Sequence, residues 1–201
     1  MHPTRPHADA LTVSAEARLI CRGTRLIPVQ PEHAAFLRRV ELESVAAFRW
    51  RHAGVHAPPD EFLSSLFSDV LCSFLVTRAS DQPPMGMVAA YGADLRNGHC
   101  RVGASRFGPT PVGFQPELVR AVFMVFDYLF QGWPLRKIYL EVPEYNMTQI
   151  GSSIGRLFDA EAQLKEYVYL DGKYWDQFLL SLTRERWDQV RPRYERFAPR
   201  S

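Results

Sequence analysis

The chain has 201 residues, 46% of them hydrophobic and 12% aromatic, which fits one ordinary domain with a sizeable core. Its 24 basic and 22 acidic residues leave a net charge of +2, too small to argue for a nucleic-acid partner or a charged membrane surface. No apolar run approaches the ~20 residues of a membrane-spanning helix.

In chain order, residues 1–17 are polar and carry Pro and His, which predicts an N-terminal arm. Residues 18–30 (RLICRGTRLIPVQ) predict a first strand, or a hairpin broken at Gly23. Pro31 opens a helix at a position that tolerates proline. Phe36, Leu37, Val40, Val45 and Phe48 then recur at helical spacing as far as Trp50. After a loop, Asp60 begins a short helix through Phe67, and Leu71–Thr77 reads as a buried strand. Met85–Ala93 and His99–Phe107 predict two strands about Asn97-Gly98, a dipeptide favoured in hairpin turns. Gln115–Gln131 is the most apolar helix and should be covered nearly all round. Gly132 and Pro134 end it. Leu135–Val142 alternates as a strand, and Met147–Phe158 is expected as a helix capped by Asn146. Gln163–Leu170 and Tyr174–Leu182 form antiparallel strands across Asp171-Gly172-Lys173. The domain is placed at 18–190, followed by a basic tail at 191–201. Strands interleaved with few helices predict an α/β (α+β) fold, a mixed and mostly antiparallel sheet of six to seven strands with helices on both faces.

Cys21, Cys72 and Cys100 lack any C-x-x-C spacing, and the six His residues lack metal-ligand spacing, so no metal is expected. Isolated thiols and an N-terminus without an apolar signal core point to the cytoplasm.

The segment Glu141–Trp187 orders a strand ending near Asn146, a short helix, and a hairpin around Asp171-Gly172-Lys173-Tyr174-Trp175-Asp176. This order resembles the C-terminal half of GNAT-fold acyltransferases, especially the branch that includes the ribosomal-protein N-terminal alanine acetyltransferases. The resemblance implies that acetyl-CoA or another acyl-CoA binds where two central parallel strands splay apart. The pyrophosphate would meet backbone N–H groups where the main helix begins. The corresponding residues run from Phe107 through Val112, Gly113, Phe114 and Gln115 to Pro116. They depart from the family pattern. Gly108 and Gly113 have the wrong spacing, and Pro109, Pro111 and Pro116 each lack an N–H donor. One reading is a rebuilt loop that uses the amides of Val112–Gln115, with Arg106 and Arg120 supplying charge. The other is a proline-rich turn that has lost its ligand.

By the same resemblance Asn146 would order the pantetheine arm, although an Asn before a helix is also a good N-cap. Position seven after it, where the family often has a tyrosine acid, is Ser153. Its hydroxyl could donate a hydrogen bond to the leaving thiolate, or its small size could serve helix–sheet packing. Glu141 is the first choice of general base, with Tyr145 at the same strand's end in support; an ion-paired strand residue is the alternative for Glu141. His99 and Glu166 are further candidates. Acceptor selection would fall to Arg49, Trp50, Arg51, His52 and His56, opposite Tyr167, Tyr169 and Trp175. Together these imply an acyl-CoA-dependent N-acyltransferase acting on a small-molecule amine or on a protein N-terminus or lysine, with no nucleic-acid or membrane partner. A homodimer stays open. The competing class is a non-catalytic GNAT-like binding or assembly protein with a degenerate CoA loop.

Overall fold

The computed structural model describes residues 19–43, 56–78, 82–108 and 116–195. Strands β1 (Ile20–Cys21) and β2 (Thr24–Pro28) join at Arg22 and Gly23, whose φ angles are +44° and +77°. Two central residues with positive φ make a tight hairpin turn, so the hairpin alternative holds. Pro31–His33 forms a 3-10 turn that runs into α1 (Ala34–Glu43). The backbone N–H of Gln30 donates to Nδ1 of His33 at 2.9 Å and closes that entry. The expected continuation to Trp50 lies outside the described residues. Helix α2 (Pro59–Phe67) begins on a proline and buries Phe62 and Leu66.

Next come β3 (Val70–Thr77), β4 (Gly86–Asp94) and β5 (His99–Arg106). The turn between β4 and β5 is made by Asp94, which accepts the Asn97 backbone N–H at 2.9 Å, and by Gly98 at φ +69°. Helix α3 (Pro116–Gly132) follows, then β6 (Lys137–Pro143), β7 (Asp159–Leu170), β8 (Lys173–Thr183) and α5 (Arg184–Glu195); the one-turn α4 (Met147–Ile150) lies between β6 and β7. Among the described residues the strands form one eight-stranded sheet in the order β1-β2-β3-β4-β5-β6-β8-β7. Every neighbouring pair is antiparallel except β5 and β6.

Alternation along the strands assigns the two faces. Leu75 and Met87 point toward Leu37, Phe62 and Leu66 of α1 and α2. Phe74, Val76, Val88 and Val102 point the other way, into the larger core with Val125, Phe126 and Leu129 of α3. That core also takes Trp187 of α5, which is 1% exposed and stacks on Phe123 and Phe130 with centroids 6.0 and 6.5 Å away. The sheet is therefore sandwiched between helices on both faces, an α/β fold of the expected kind. Among the described residues no helix is long and apolar enough to cross a membrane.

The expected helix over Met147–Phe158 is broken. A 3-10 turn at Glu144–Asn146, α4 and a second 3-10 turn at Gly151–Ser153 replace it. Gly151-Ser152-Ser153 is a run of poor helix formers. Gly155 then takes φ +77° and turns the chain away. The Ser153 carbonyl collects the backbone N–H groups of Leu157 (2.8 Å) and Phe158 (3.1 Å) and fixes the exit into β7. Because the turn already starts at Glu144, Asn146 lies inside it at φ −99°, ψ −4° and makes no side-chain capping bond.

Candidate functional site

The candidate site is built by the one parallel pair of strands among the described residues. β5 and β6 pair over three rungs, His99 with Lys137, Cys100 with Ile138 and Arg101 with Tyr139. The ladder ends there. Beyond it β5 stays paired to β4 as far as Arg106, and β6 stays paired to β8 as far as Pro143. Each strand is thus held on its outer side while the inner sides separate. The inner edge of β5 from Val102 onward has no ladder partner on the β6 side among the described residues. Gly103, Ala104 and Ser105 line that stretch with small side chains.

Glu141 stands on β6 just past the last shared rung. Its Oε1 accepts a hydrogen bond from Nε of Arg101 at 2.9 Å, so an ion pair bridges the mouth of the splay. Both side chains remain accessible, 44% for Arg101 and 36% for Glu141. They lie on the face opposite Cys100, Val102, Ile138 and Leu140, which are buried in the α3 core. On that same face His99 meets the edge of the Tyr139 ring at 5.7 Å and lies 4.0 Å from Asp94. Lys137 donates to Glu161 at 2.6 Å. The Glu161 carboxyl is lowered from its usual range by that bond first and by the Ser181 hydroxyl next. Glu161 is the extra residue of a β-bulge between Ala160 and Ala162, a device that re-aims a side chain.

Tyr145 follows β6 and packs edge-on against Trp175 at 5.6 Å, tying the end of β6 to β8. Trp175 is fixed by its indole N–H to the Leu170 carbonyl at 3.2 Å, and Lys173 stacks on its ring at 3.8 Å. Asn146 and Ser153 are half-buried in the irregular segment after β6. Phe107 lies at the end of β5 with its N–H on the Met85 carbonyl at 2.9 Å, and it packs edge-on to Phe36 at 5.8 Å. It therefore faces α1. Val112, Gly113, Phe114 and Gln115 lie outside the described residues, as do Arg49, Trp50, Arg51 and His52. Where α3 begins, Glu117 is flanked by Arg78 at 3.2 Å and Arg120 at 3.8 Å. Arg120 is also spent on the buried Thr24 hydroxyl at 3.1 Å. Glu166 is held by its backbone at a second bulge of β7, and Tyr167, Tyr169 and Tyr174 are exposed on the hairpin.

Glu141 thus stands on β6 beside the opening, while Tyr145 and Asn146 follow in the 3-10 turn after the strand ends at Pro143. Sequence reasoning missed Arg101. The signal was its place on the strand that precedes the main helix, three residues from the Asn-Gly turn, but its register with β6 cannot be read from β5 alone.

The arrangement has clear structural relatives. A probable acetyltransferase of the GNAT family from Chromobacterium violaceum superposes with a TM-score of 0.64 at 20% identity, over 92% of this chain and 96% of that one. Spermidine N-acetyltransferase from Vibrio cholerae, in complex with CoA and spermine, gives 0.65 at 18% identity over 82% and 98%. The ribosomal L7/L12 alpha-N-protein acetyltransferase, in complex with coenzyme A, gives 0.65 at 12% identity over 80% and 93%. No protein-family model and no curated protein sequence matches the chain. At these identities the likeness establishes the fold: this is a GNAT-fold chain, similar to acetyltransferases over most of its length.

Proposed function

We propose that the protein is an acyl-CoA-dependent N-acyltransferase that transfers an acetyl or longer acyl group to an amine. The observation that carries this reading is the β5/β6 pair that opens after Arg101 and Tyr139. An unpaired strand edge in an otherwise hydrogen-bonded sheet leaves N–H and C=O groups in need of partners. The amides of a pantetheine arm are such partners, so these residues fit the cofactor. When bound, acyl-CoA supplies a thioester as the activated acyl donor. Asn146 would orient the pantetheine, and the amides of Val112–Gln115 ahead of α3 would take the pyrophosphate. Glu141 would accept the proton that the amine sheds as its nitrogen bonds to the acyl carbon. The Tyr145 or Ser153 hydroxyl would give a proton to the sulfur as the carbon–sulfur bond breaks. Relatives that bind spermine or modify a protein N-terminus support an amine acceptor in general, whether a small molecule or a protein.

The second reading is a non-catalytic GNAT-fold binding protein. Pro109, Pro111 and Pro116 favour it, since each removes a donor from the phosphate-binding stretch. A melting experiment separates the two. A ligand at a hundred times its dissociation constant stabilises the folded state by about 2.7 kcal/mol, a shift of roughly 5–10 °C for a domain of this size. Acetyl-CoA and free coenzyme A should both produce it, and Gly113→Pro should reduce it. No shift from either at millimolar concentration overturns the enzyme reading.

A further inference from the structure

We propose that Arg101 is a specificity residue and that the acceptor is a small amine carrying a carboxylate next to its nitrogen, as a free α-amino acid does. This rests on the acyltransferase reading above. Arg101 spends only its Nε on the protein: among the described residues Glu141 is its acceptor, and the four N–H groups of Nη1 and Nη2 have no protein acceptor. On the β4 side Nη1 lies 3.0 Å from where a Cβ of Gly92 would stand. Any side chain there would press on the guanidinium, and Gly92 at φ +56° is in a conformation that glycine adopts without penalty. The guanidinium therefore reaches from Glu141 on β6 to Gly92 on β4, where Asp69 Oδ2 lies 3.9 Å from the same Cβ position, and the Arg101 side chain stays 44% accessible.

The second half of the pair is Glu141. Its Oε1 is engaged by Arg101, while its Oε2 has no hydrogen-bond donor among the described residues. A negative oxygen and a fork of positive N–H groups thus lie side by side at the point where β5 and β6 separate. An amine at Oε2 and an anion at the guanidinium would sit on two side chains that touch through Nε and Oε1 at 2.9 Å, with a short gap between the two ligand groups. A carboxylate one carbon from the nitrogen spans that gap. A terminal amine on a long polycation does not use the fork, and a peptide N-terminus has no carboxylate at that position. Guanidinium binds carboxylate in a planar, two-bond geometry that lysine cannot reproduce. In the transfer step Arg101 takes no proton. It holds the acceptor's carboxylate so that the nitrogen meets both Glu141 and the acyl carbon.

The test uses the full chain saturated with coenzyme A, titrated calorimetrically with each of the twenty proteinogenic amino acids and with matched decarboxylated amines. L-phenylalanine against phenethylamine and L-lysine against cadaverine are two such pairs. At least one amino acid should bind ten-fold or more tighter than its amine. Arg101→Gln should erase that preference, and Arg101→Lys should restore it only in part. In both variants the melting shift with coenzyme A should stay at the wild-type value, which also shows that they fold. The proposal is overturned if coenzyme A shifts the melt but no amino acid binds, if acid and amine bind equally, or if the preference survives in Arg101→Gln. If coenzyme A itself gives no shift, the acyltransferase reading falls and takes this inference with it.

Discussion

The carboxylate of Asp176 on β8 accepts the backbone N–H of Glu166 on β7 at 2.9 Å. The same carboxylate receives Lys165 Nζ at 2.8 Å and Gln163 Nε2 at 2.7 Å. Three donors from one strand converge on one side chain of the next. Between them the β7/β8 register slips from Leu164–Gln177 to Val168–Trp175, and Glu166 takes φ +49°. Asp176 is thus the residue around which the edge strand bulges. β7 is exposed over nearly all of its 12 residues. A bulge with a Lys beside it keeps such an edge from pairing with another chain.

This bond network has a pH signature. Lys165 first, then the Glu166 N–H, lower the Asp176 carboxyl to about 2, against roughly 3.9 for a free aspartate. The folded state therefore holds its charge to lower pH than the unfolded chain. The stability contribution is complete above the unfolded value and is lost as pH falls from about 4 toward 2. A carboxyl-detected titration should place Asp176 near 2. Asp176→Asn should remove that part of the acid dependence and loosen amide protection at Glu166. A titration midpoint near 4 would show that the clamp does not hold in solution.

The β7/β8 turn should be sensitive to backbone strain alone. Asp171 and Gly172 have φ of +54° and +76°, and a Cβ at Gly172 would meet nothing within 4 Å. Gly172→Val therefore costs the left-handed conformation and no clash, about 1–2 kcal/mol. For a domain of this length that lowers Tm by roughly 2–8 °C. Binding of coenzyme A should be unaffected. A Tm equal to wild type would mean that the turn relaxes to another type.

Much of this fold could be read in advance because its signals are local. Asn97-Gly98 and Asp171-Gly172 mark turns, and Leu118, Val125, Phe126 and Leu129 mark the face of α3 by their spacing. The irregular segment after β6 was less legible, since Gly151, Ser152 and Ser153 weaken a helix without specifying what replaces it. The splay of β5 from β6 was expected from family resemblance and is not written in either strand's composition. Arg101 with Glu141 was illegible for the same reason: 40 residues separate them, and only the parallel register sets them side by side. Glu141 alone stood out, as the acidic residue of the strand expected beside the splay.

Cys72 and Cys100 should be chemically quiet in the native state. Burial pushes the Cys72 thiol up to about 12 and the Cys100 thiol up to about 11. The thiolate is the reactive form, so at pH 8 both should resist an aromatic disulfide reagent for as long as the protein stays folded. Both should then react within the dead time of unfolding in guanidinium chloride. Rapid native-state labelling at either position, located by peptide mapping, would contradict the packing of β3 and β5.

The strongest stability effect is expected at Arg184, the first residue of α5. Its guanidinium donates to the carbonyls of Leu135 at 2.7 Å and Trp133 at 2.8 Å, and also to that of Phe130. Carbonyls at the end of a helix lack intrahelical donors, and Phe130 belongs to the last turn of α3. A cation there also meets the negative end of the helix dipole. The guanidinium lies 5.1 Å from the Phe130 ring centroid, so it joins the end of α3, the approach to β6 and the start of α5 in one contact. Arg184→Ala removes the donors and leaves partly buried carbonyls to find water. Bonds to charged groups contribute about 1.5–3 kcal/mol each in favourable settings, and the three are not additive, so a loss of about 3 kcal/mol is expected. Arg184→Lys should recover less than half of it, because an ammonium cannot span three carbonyls arranged around a planar fork. Urea unfolding of the two variants measures both numbers. Equal stability for Arg184→Lys and wild type would reduce the residue's role to its charge.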